Sequence, residues 1–369
     1  MLSSTELSRY NRQIILPEIG ISGQEKLKIA KVLVIGAGGL GCPVLKYLSA
    51  VGIGTIGIID GDLVSESNLQ RQILYTPEDI GKPKVNVAIE ILQKQNPFTT
   101  FHGYSYALDT SNALGIITQY DIIVDGTDNF STRYLVNDAC VILKKKLVFG
   151  SILKFEGQVS VFDGNEGPTY RCLFPESPED SHNCGEIGVV GVLPGIIGTL
   201  QANEVIKIVT GIGKILQNKL FVIDALTLST NTLSFQTNRN NLKTTQLMTK
   251  IGEKREIDNL INSLEIDVFQ FEELRKSTTS FQLIDVREPF EFELSNLGGE
   301  LIPLKLLPNC LEKIDSSKKI VVLCHHGIRS LGAVEYIQEK MKHLNLDITS
   351  IKGGIDYYSL TINNLIPRY

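Results

Sequence analysis

The chain has 369 residues, which exceeds one ordinary domain and predicts two or three domains of about 100–200 residues each. Hydrophobic residues make up 43% of it and charged residues 21%, a composition that excludes a disordered, collagen-like or low-complexity chain. The net charge of -5 argues against a nucleic-acid binder that depends on bulk electrostatics.

The sequence also bears on the compartment. No apolar run approaches the roughly 18 residues needed to span a bilayer. The first residues lack the basic, apolar and small-residue order of a signal peptide. Six cysteines in a chain of this length, without an export signal, are not typical of a disulfide framework. We therefore expect a cytoplasmic protein with reduced thiols that binds neither membranes nor nucleic acid.

Strands and helices alternate along roughly the first 235 residues. Helices are predicted after Gly41 and over Val85–Gln95. Runs rich in β-branched residues predict strands at Lys31–Ala37, Thr55–Asp60, Tyr120–Asn129 and Lys146–Ser151, and later antiparallel strands at Glu156–Gly164, Lys219–Thr230 and Thr232–Asn238. The fold class is therefore α/β: a Rossmann-like domain with a mixed sheet and helices on both faces.

A polar stretch separates this region from a second, smaller α/β unit. The stretch is typical of a linker. Beyond it, strands are predicted at Phe281–Glu288 and Lys318–Gly327, and an amphipathic helix follows. We divide the chain into a first domain at 1–236, a linker at 237–261 and a second domain at 262–369.

Glycines at Gly36, Gly38 and Gly41 have G-x-G-x-x-G spacing between a predicted strand and a predicted helix. Such a loop turns tightly and presents the N–H groups of a helix N-terminus to a phosphate. Asp60, about 20 residues further on, is placed to accept hydrogen bonds from a ribose. This pattern alone leaves open a dinucleotide-dependent oxidoreductase and a purely structural turn.

Polar and charged side chains cluster after the next strands, where a hydride-transfer site needs apolar walls. They are Asp62, Asn68, Arg71, Gln72, Lys84, Asp125 and Asp128. Cations beside a carboxylate favour polyphosphate with Mg²⁺, because they offset charge on a transferring group. Each charge alone is equally typical of a solvated loop, and their grouping at one sheet edge is what indicates a site.

Seven motifs in order carry a family resemblance. They are RYNRQI, GAGGLG, IDGDLVSESNLQRQ, GKPK, DGTDN, YRCLFPE and GVLPGIIGTLQANEVIK. Together they resemble the E1-like adenylyltransferases of the ThiF, MoeB and HesA type, which activate ubiquitin-like sulfur-carrier proteins. The resemblance covers about residues 5–235.

The resemblance implies an ATP site and an assembly. Asp128 is implied to bind Mg²⁺, and Arg12 matches an arginine that reaches into the partner subunit's ATP site, which implies a homodimer. The implied ATP ligands are Gly39, Asp60, Asn68, Arg71 and Lys84, to which the glycine loop and the polar cluster add Gly36, Gly38, Gly41, Asp62 and Gln72.

The resemblance also implies the reaction. The carrier's C-terminal glycine carboxylate attacks the α-phosphate of ATP, and an acyl-adenylate forms. Arg71, Lys84, Arg12 and Mg²⁺ offset the charge on the pyrophosphate that leaves. Arg71 and Asp128 are accordingly the expected catalytic residues of this domain.

Relatives in this family often bind a structural zinc through two C-x-x-C pairs. Here Thr169 occupies the first position of one pair and Cys172 the second, and no cysteine lies in the region of the other pair, Thr232–Gln246. Tetrahedral zinc needs four ligands. We therefore predict no zinc, and we interpret Cys172 as an ordinary buried thiol.

Cys184 lies in a polar segment that matches the loop crossing the active site in this family. There the thiol forms a covalent intermediate with the carrier in some members and is dispensable in others. His182 lies two residues away and is either an assistant or a solvated loop residue. A reactive role for Cys184 stays open.

In the second domain, Cys324 lies between a predicted strand and a predicted helix. The converging N–H groups of the loop, the helix N-terminus and Arg329 predict a cationic nest that favours thiolate. The spacing C-x4-R differs from the C-x5-R of cysteine phosphatases and forms a smaller loop, suited to a sulfane sulfur. With LIDVRE and KGGIDYYSL, the region from about Leu264 to Tyr369 resembles a rhodanese domain, which implies a persulfide on Cys324.

Two departures from the rhodanese pattern occur away from this loop. NLGGE replaces the usual residues before the IPL element, and Tyr358 occupies a common tryptophan position. A metal site formed by Cys324, His325 and His326, or a degenerate domain without activity, stays open as an alternative.

The combined hypothesis is an ATP-dependent adenylyltransferase joined to a sulfurtransferase. A cysteine desulfurase or another donor loads Cys324, whose persulfide displaces AMP, and a second thiol such as Cys184 releases a thiocarboxylate. The carrier serves molybdopterin, thiamine or cysteine synthesis, or tRNA thiolation. The alternatives are a nucleotide-dependent oxidoreductase with a thiol redox domain and a non-catalytic protein that docks carriers.

Overall fold

The computed structural model describes residues 1–175, 188–247, 264–277, 280–344 and 346–368. Two compact units are present, Met1–Met248 and Thr249–Tyr369. None of the described helices is both long enough and apolar enough to cross a membrane.

An eight-stranded mixed sheet forms the centre of the first unit, with the strand order β3-β2-β1-β4-β5-β6-β7-β8. The strands are β1 Lys31–Ile35, β2 Thr55–Ile59, β3 Thr100–Tyr104, β4 Ile122–Asp125, β5 Lys146–Leu153, β6 Glu156–Asp163, β7 Lys219–Asp224 and β8 Thr230–Ser234. The first five strands in this order, from β3 to β5, are parallel to one another. The pairs β5–β6, β6–β7 and β7–β8 are antiparallel. The predicted α/β fold with a mixed sheet is confirmed.

Helices cover both faces of this sheet. They are α1 Ser4–Arg9, α2 Asn11–Ile14, α3 Gly20–Ile29, α4 Gly41–Val51, α5 Lys84–Gln95, α6 Ala113–Ile117, α7 Phe130–Ile142, α8 Tyr170–Leu173 and α9 Leu193–Thr210, with 3₁₀ turns at Glu66–Asn68, Pro77–Asp79 and Arg239–Lys243. Strand β1 shows why helices must cover both faces, because its alternate side chains are buried on opposite sides of the sheet. Val32 and Val34 pack in one hydrophobic cluster with residues of α4, α5 and α9, and Leu33 and Ile35 pack in another with residues of α6 and α7.

The second unit has a five-stranded, fully parallel sheet in the order β11-β10-β12-β13-β9. Its strands are β9 Glu265–Ile266, β10 Phe281–Asp285, β11 Glu300–Leu301, β12 Lys319–Leu323 and β13 Ile348–Ile351. Its helices are α10 Val268–Lys276, α11 Pro289–Leu294, α12 Ile328–Lys340 and α13 Gly354–Thr361, with 3₁₀ turns at Leu304–Asn309, Leu311–Lys313 and Lys342–Leu344. Two apolar clusters fill the two faces of the sheet. This is the smaller α/β domain that the sequence predicts.

Domain boundaries at residues 236 and 262 stay a prediction. The strand predicted over Tyr120–Asn129 ends at Asp125, and the remaining residues form the turn before α7. Strand β3 was not predicted, because its five residues include His102 and Gly103 and show no apolar alternation.

Gly41 tolerates no side chain, because a Cβ there would lie 1.9 Å from the carbonyl oxygen of Gly36. We expect Gly41→Ala to lower the free energy of unfolding of the first unit by about 1–3 kcal/mol, as overpacking does. Gly115→Ala is the matched control, because its Cβ would meet no atom within 4 Å and the residue lies in helix α6. Urea unfolding of the two variants measures the difference, and equal stabilities would contradict the expectation.

Candidate active site

A cavity of about 410 Å³ lies where the parallel strands of the first unit end. Residues that follow β1, β2, β3 and β4 line it, and ligands of open α/β sheets bind at this edge. A larger cavity of about 530 Å³ lies at the opposite edge, beside Asp121 and Lys146 at the amino ends of β4 and β5. Because that cavity lacks the glycine loop and the polar cluster, we assign the site to the smaller one.

Two loops approach each other very closely at this cavity. Gly36 has a φ of +90°, and a Cβ there would lie 2.8 Å from the carbonyl oxygen of Gly126 in the turn after β4. Only glycine adopts this conformation without strain. Gly38 and Gly39 line the cavity between the two loops. The loop thus places backbone rather than side chains against a ligand.

Asp60 fixes the glycine loop. Its carboxylate accepts hydrogen bonds from the N–H groups of Ala37 and Asp62, both at 2.8 Å. Burial raises the pKa of Asp60, although the nearby Lys84 acts in the opposite direction. Asp60 also lines the cavity, so one side chain both shapes the loop and faces a ligand.

Lys84 is the first residue of α5 and only 4% exposed. Its ammonium group contacts the carboxylate of Asp62 at 2.7 Å, whereas Asp62 itself is exposed. Both side chains line the cavity. A buried cation that has an exposed carboxylate as its partner is positioned to bind an incoming anion instead.

The two acidic residues of the turn DGTDN have different environments. Asp125 is buried and accepts hydrogen bonds from the backbone N–H and the hydroxyl of Thr127, at 2.9 and 2.7 Å. Burial raises the pKa of Asp125. Asp128 is exposed and lines the cavity. Asp125 therefore stabilises the turn, and Asp128 offers hard oxygen ligands of the kind that Mg²⁺ prefers.

The structure brings most of the predicted nucleotide ligands together. Those that line the cavity are Gly36, Gly38, Gly39, Asp60, Asp62, Arg71, Gln72, Lys84 and Asp128. Three others do not line it: Gly41 packs beneath the loop, Asn68 lies in a 3₁₀ turn, and Arg12 is exposed on α2. The ligand roles of all these residues stay predictions.

Sequence reasoning missed several lining residues. They are Tyr106, Ala107, Leu108, Asn129, Thr132, Arg133 and Ile152. The first three follow β3, and recognition of that strand would have predicted them, since strand β3 ends at the same edge as β2. Arg133 is buried on α7, where the sequence shows no motif of its own.

Cys172 lies at the end of the incomplete C-x-x-C pattern, in helix α8. Three N–H donors surround its sulfur at 3.3–3.4 Å: the backbone N–H groups of Thr169 and Asn238 and the side-chain amide of Asn241. The hydroxyl of Thr169 forms a further hydrogen bond with the sulfur, in which either atom can donate. Partial burial alone raises the pKa of this thiol, but the hydrogen bonds outweigh burial and the pKa is lowered. Cys172 is thus only partly buried and more acidic than an ordinary thiol, unlike the sequence interpretation.

In the described ranges, no group of three or more His, Cys, Asp or Glu side chains is arranged to bind a metal ion. The absence of zinc nevertheless stays a prediction. Cys184 and His182 lie outside the described residues. Cys42 and Cys140 are buried, and burial raises the pKa of both thiols, that of Cys42 to about 12.

Cys324 directly follows β12 and is fully buried. Its sulfur accepts hydrogen bonds from the N–H of Gly327 at 3.1 Å and the hydroxyl of Ser330 at 3.3 Å. Ser330 in turn lies 2.8 Å from the hydroxyl of Ser350 on β13. The loop therefore encloses the thiol and directs two donors at its sulfur. The predicted role of this loop in holding a sulfane sulfur stays a prediction.

The expected thiolate is wrong for this structure. Burial raises the pKa of Cys324, and the hydrogen bond from Ser330 and the positive charge of Arg329 offset burial only in part. The guanidinium of Arg329 also forms two hydrogen bonds of 2.7 Å with Glu291, so its positive charge is paired. Sequence spacing could not reveal this partner, which lies 38 residues earlier.

Comparison with known proteins agrees with this geometry. Residues 10–245 match the ThiF family and residues 270–361 match the rhodanese-like domain. The chain belongs to the ThiF family and carries a rhodanese-like domain after the ThiF region. Both predicted resemblances are confirmed.

Similar proteins extend over nearly the whole chain. It is 40% identical to the probable adenylyltransferase/sulfurtransferase MoeZ of Mycobacterium tuberculosis, over 96% of this chain and 93% of that protein. It is 38% identical to the adenylyltransferase and sulfurtransferase MOCS3 of Culex quinquefasciatus, over 100% of this chain and 90% of that protein. The sulfur carrier protein adenylyltransferase of Thermus thermophilus is 52% identical over 63% of this chain and 89% of its own length. The chain is thus an enzyme, an adenylyltransferase with a sulfurtransferase domain.

Solved structures share the fold of the first unit. A crystal structure of Escherichia coli MccB with ATP has a TM-score of 0.56 at 25% identity, over 62% of this chain and 72% of that one. The crystal structure of PaaA has a TM-score of 0.56 at 24% identity, over 64% of this chain and 75% of that one. At this identity the similarity indicates a shared fold and nothing further.

The thiols of Cys172 and Cys324 differ in acidity and in exposure. The thiolate is the nucleophile, so we expect iodoacetamide to modify Cys172 faster than Cys324 between about pH 6 and about pH 9. We also expect the rate at Cys172 to begin to rise at a lower pH. Peptide mass spectrometry measures both rates, and buried Cys140 is the unreactive control. Faster modification of Cys324 at neutral pH would contradict the structure.

Proposed function

We propose that this enzyme uses ATP to adenylate the C-terminal glycine of a ubiquitin-like sulfur-carrier protein and then transfers sulfur from a Cys324 persulfide. The observation that carries the proposal is that one chain combines two sites of matching chemistry, a cavity in the first unit and an enclosed thiol in the second. The first combines a glycine loop with Lys84, Arg71 and Asp128. The second encloses a single thiol with two donors to its sulfur.

In the first step the glycine loop supports the phosphates, since its backbone can approach them closely. Asp60 is assigned to the ribose. Lys84 exchanges its contact with Asp62 for the phosphates, and Arg71 adds a second cation. Asp128 is the residue that would bind Mg²⁺, which supplies further charge neutralisation when bound.

The products follow from the atoms involved. A carboxylate oxygen of the carrier attacks the α-phosphorus, the bond to the β-phosphate oxygen breaks, and pyrophosphate leaves with the electron pair. The carrier is left as an acyl-adenylate, whose carbonyl carbon is open to a sulfur nucleophile. The ATP-bound relative of similar fold supports the choice of nucleotide.

In the second step the terminal sulfur of the Cys324 persulfide attacks the acyl carbon, and AMP leaves. The carrier is then joined to Cys324 through an acyl disulfide. A second thiol attacks the sulfur of Cys324, so that the carrier leaves as a thiocarboxylate and a disulfide forms. We assign this second thiol to Cys184, and a cellular thiol reductant then reduces the Cys184–Cys324 disulfide, so that both thiols are regenerated and the reductant is oxidised.

Several further assignments belong to the same proposal. Arg12 serves the ATP site of a partner subunit, so the enzyme is a homodimer. A cysteine desulfurase supplies the sulfur, and the chemistry of a persulfide places the enzyme in the reducing cytoplasm. The thiocarboxylate serves the synthesis of a sulfur-containing cofactor such as molybdopterin or thiamine.

Adenylation is tested by carrier-dependent exchange of pyrophosphate into ATP. We expect Arg71→Ala and Asp128→Ala to lower the exchange rate by about 100-fold or more, because each removes charge stabilisation of the leaving group. Cys324→Ala is the matched control and keeps full exchange. A wild-type enzyme without exchange would instead support an oxidoreductase or a docking protein.

Sulfur transfer is tested by mass spectrometry of the carrier after incubation with enzyme, ATP and a cysteine desulfurase with cysteine. We expect a thiocarboxylate with the wild-type enzyme and none with Cys324→Ala, since the nucleophilic sulfur is then missing. Cys310→Ala, a thiol of the same domain outside the Cys324 loop, controls for general effects. Thiocarboxylate formation by Cys324→Ala would refute the role of Cys324.

A further inference from the structure

The loop that begins with Cys324 contains one permanently charged side chain, Arg329, and that charge is already matched. Both terminal nitrogens of Arg329 donate hydrogen bonds of 2.7 Å to the two carboxylate oxygens of Glu291. The side chains are 17% and 7% exposed. A paired, largely buried, two-pronged contact of this kind is strong and fixes the direction of the guanidinium.

Glu291 cannot easily turn away from this position. The N–H of Glu288 donates to the same carboxylate at 2.9 Å and caps helix α11. The backbone carbonyl of Glu291 accepts a hydrogen bond from Arg287, which is fully buried and paired with Asp285. Burial alone raises the pKa of Glu291, but the hydrogen bonds from Arg329 and Glu288 outweigh it and the pKa is lowered. The carboxylate is therefore charged at neutral pH.

The neighbouring residue His325 adds no positive charge beside Cys324 at neutral pH. Burial lowers the pKa of His325 to about 4, so its ring is neutral. Asp356, near the exposed His326, is paired with Arg368. Cys324 is thus surrounded by dipoles and by charges that are already paired.

We propose that Glu291 is a specificity-determining residue for the sulfur donor. By pairing with Arg329 it cancels the charge that would otherwise attract an oxyanion, and it leaves a pocket that favours donors without a sulfonate group, of the persulfide class. This inference rests on the proposed sulfurtransferase function and adds to it the residue that selects among donors.

Both donor classes load the same atom. With thiosulfate, the Cys324 thiolate attacks the outer sulfur, the sulfur–sulfur bond breaks, and sulfite leaves with the electron pair. With a persulfide R–S–SH, the thiolate attacks the terminal sulfur and R–S⁻ leaves. Each reaction gives a Cys324 persulfide without an oxidant or a reductant. The leaving group differs: sulfite carries two negative charges and needs a cation near the pocket, whereas a thiolate carries one.

The test compares the variant Glu291→Gln with the wild-type enzyme. An amide keeps the size of the side chain and an oxygen for the N–H of Glu288, but it no longer neutralises Arg329. We expect kcat/KM for thiosulfate, with cyanide as acceptor, to rise about tenfold or more. With a cysteine desulfurase and cysteine as the donor, kcat/KM changes less than threefold.

Two further variants isolate the charge. In Glu291→Gln/Arg329→Gln the gain with thiosulfate disappears, because the released cation is gone. Glu300→Gln removes a carboxylate of the same domain, on β11, and leaves both donors unchanged. A gain that persists without Arg329, or an equal loss with both donors in Glu291→Gln, overturns the proposal.

A measurement on the wild-type enzyme supports the test if Glu291→Gln fails to fold. Added salt screens attraction between a pocket and a charged donor. We expect kcat/KM of the wild type for thiosulfate to be nearly independent of salt, and a steep fall overturns the proposal. Failure of wild-type Cys324 to form any persulfide with the desulfurase would refute sulfur transfer itself, which is a separate outcome.

Discussion

The chemistry of the first unit depends on the close approach of two pieces of backbone. The loop after β1 and the turn after β4 meet at Gly36 and Gly126, at a distance that no side chain allows. Because β1 and β4 are neighbouring parallel strands, both segments leave the sheet at one edge. Side chains attached to them, and those that follow β2 and β3, must then surround one cavity. The arrangement of charge in the site is thus a consequence of strand order.

The two units use charge in opposite ways. In the first unit, buried Lys84 contacts the exposed carboxylate of Asp62. A ligand with more negative charge can therefore replace Asp62 as the partner of Lys84. In the second, Arg329 contacts a carboxylate that is itself largely buried, and the pair stays closed. A departing pyrophosphate carries several charges and benefits from available cations, whereas sulfur moves between thiols with little change in charge. Under the proposed function, the same type of ion pair serves one site by exchanging and the other by persisting.

The sequence predicted those parts of the site that depend on local spacing. The glycine loop, the charged cluster after β2 and the position of Cys324 between strand and helix all follow from residues close together in the chain. Pairings between distant residues could not be predicted. Asp125 and Asp128 look equivalent in the sequence, and only burial shows that Asp125 is used within its own turn. The predicted thiolate of Cys324 was wrong for the same reason, since burial of the thiol, which raises its pKa, is a product of the tertiary fold.

The sulfur of Cys172 joins helix α8 to the segment that begins at Asn238. Donors from both sides converge on this one atom. A connection of this kind depends on the oxidation state of a single thiol. Oxidation of that sulfur to a sulfinate would replace a weak acceptor by two oxygens that share a negative charge. The oxidised group would also be larger than the thiol, at a crowded position. The C-terminal segment of the first unit would then be sensitive to peroxide.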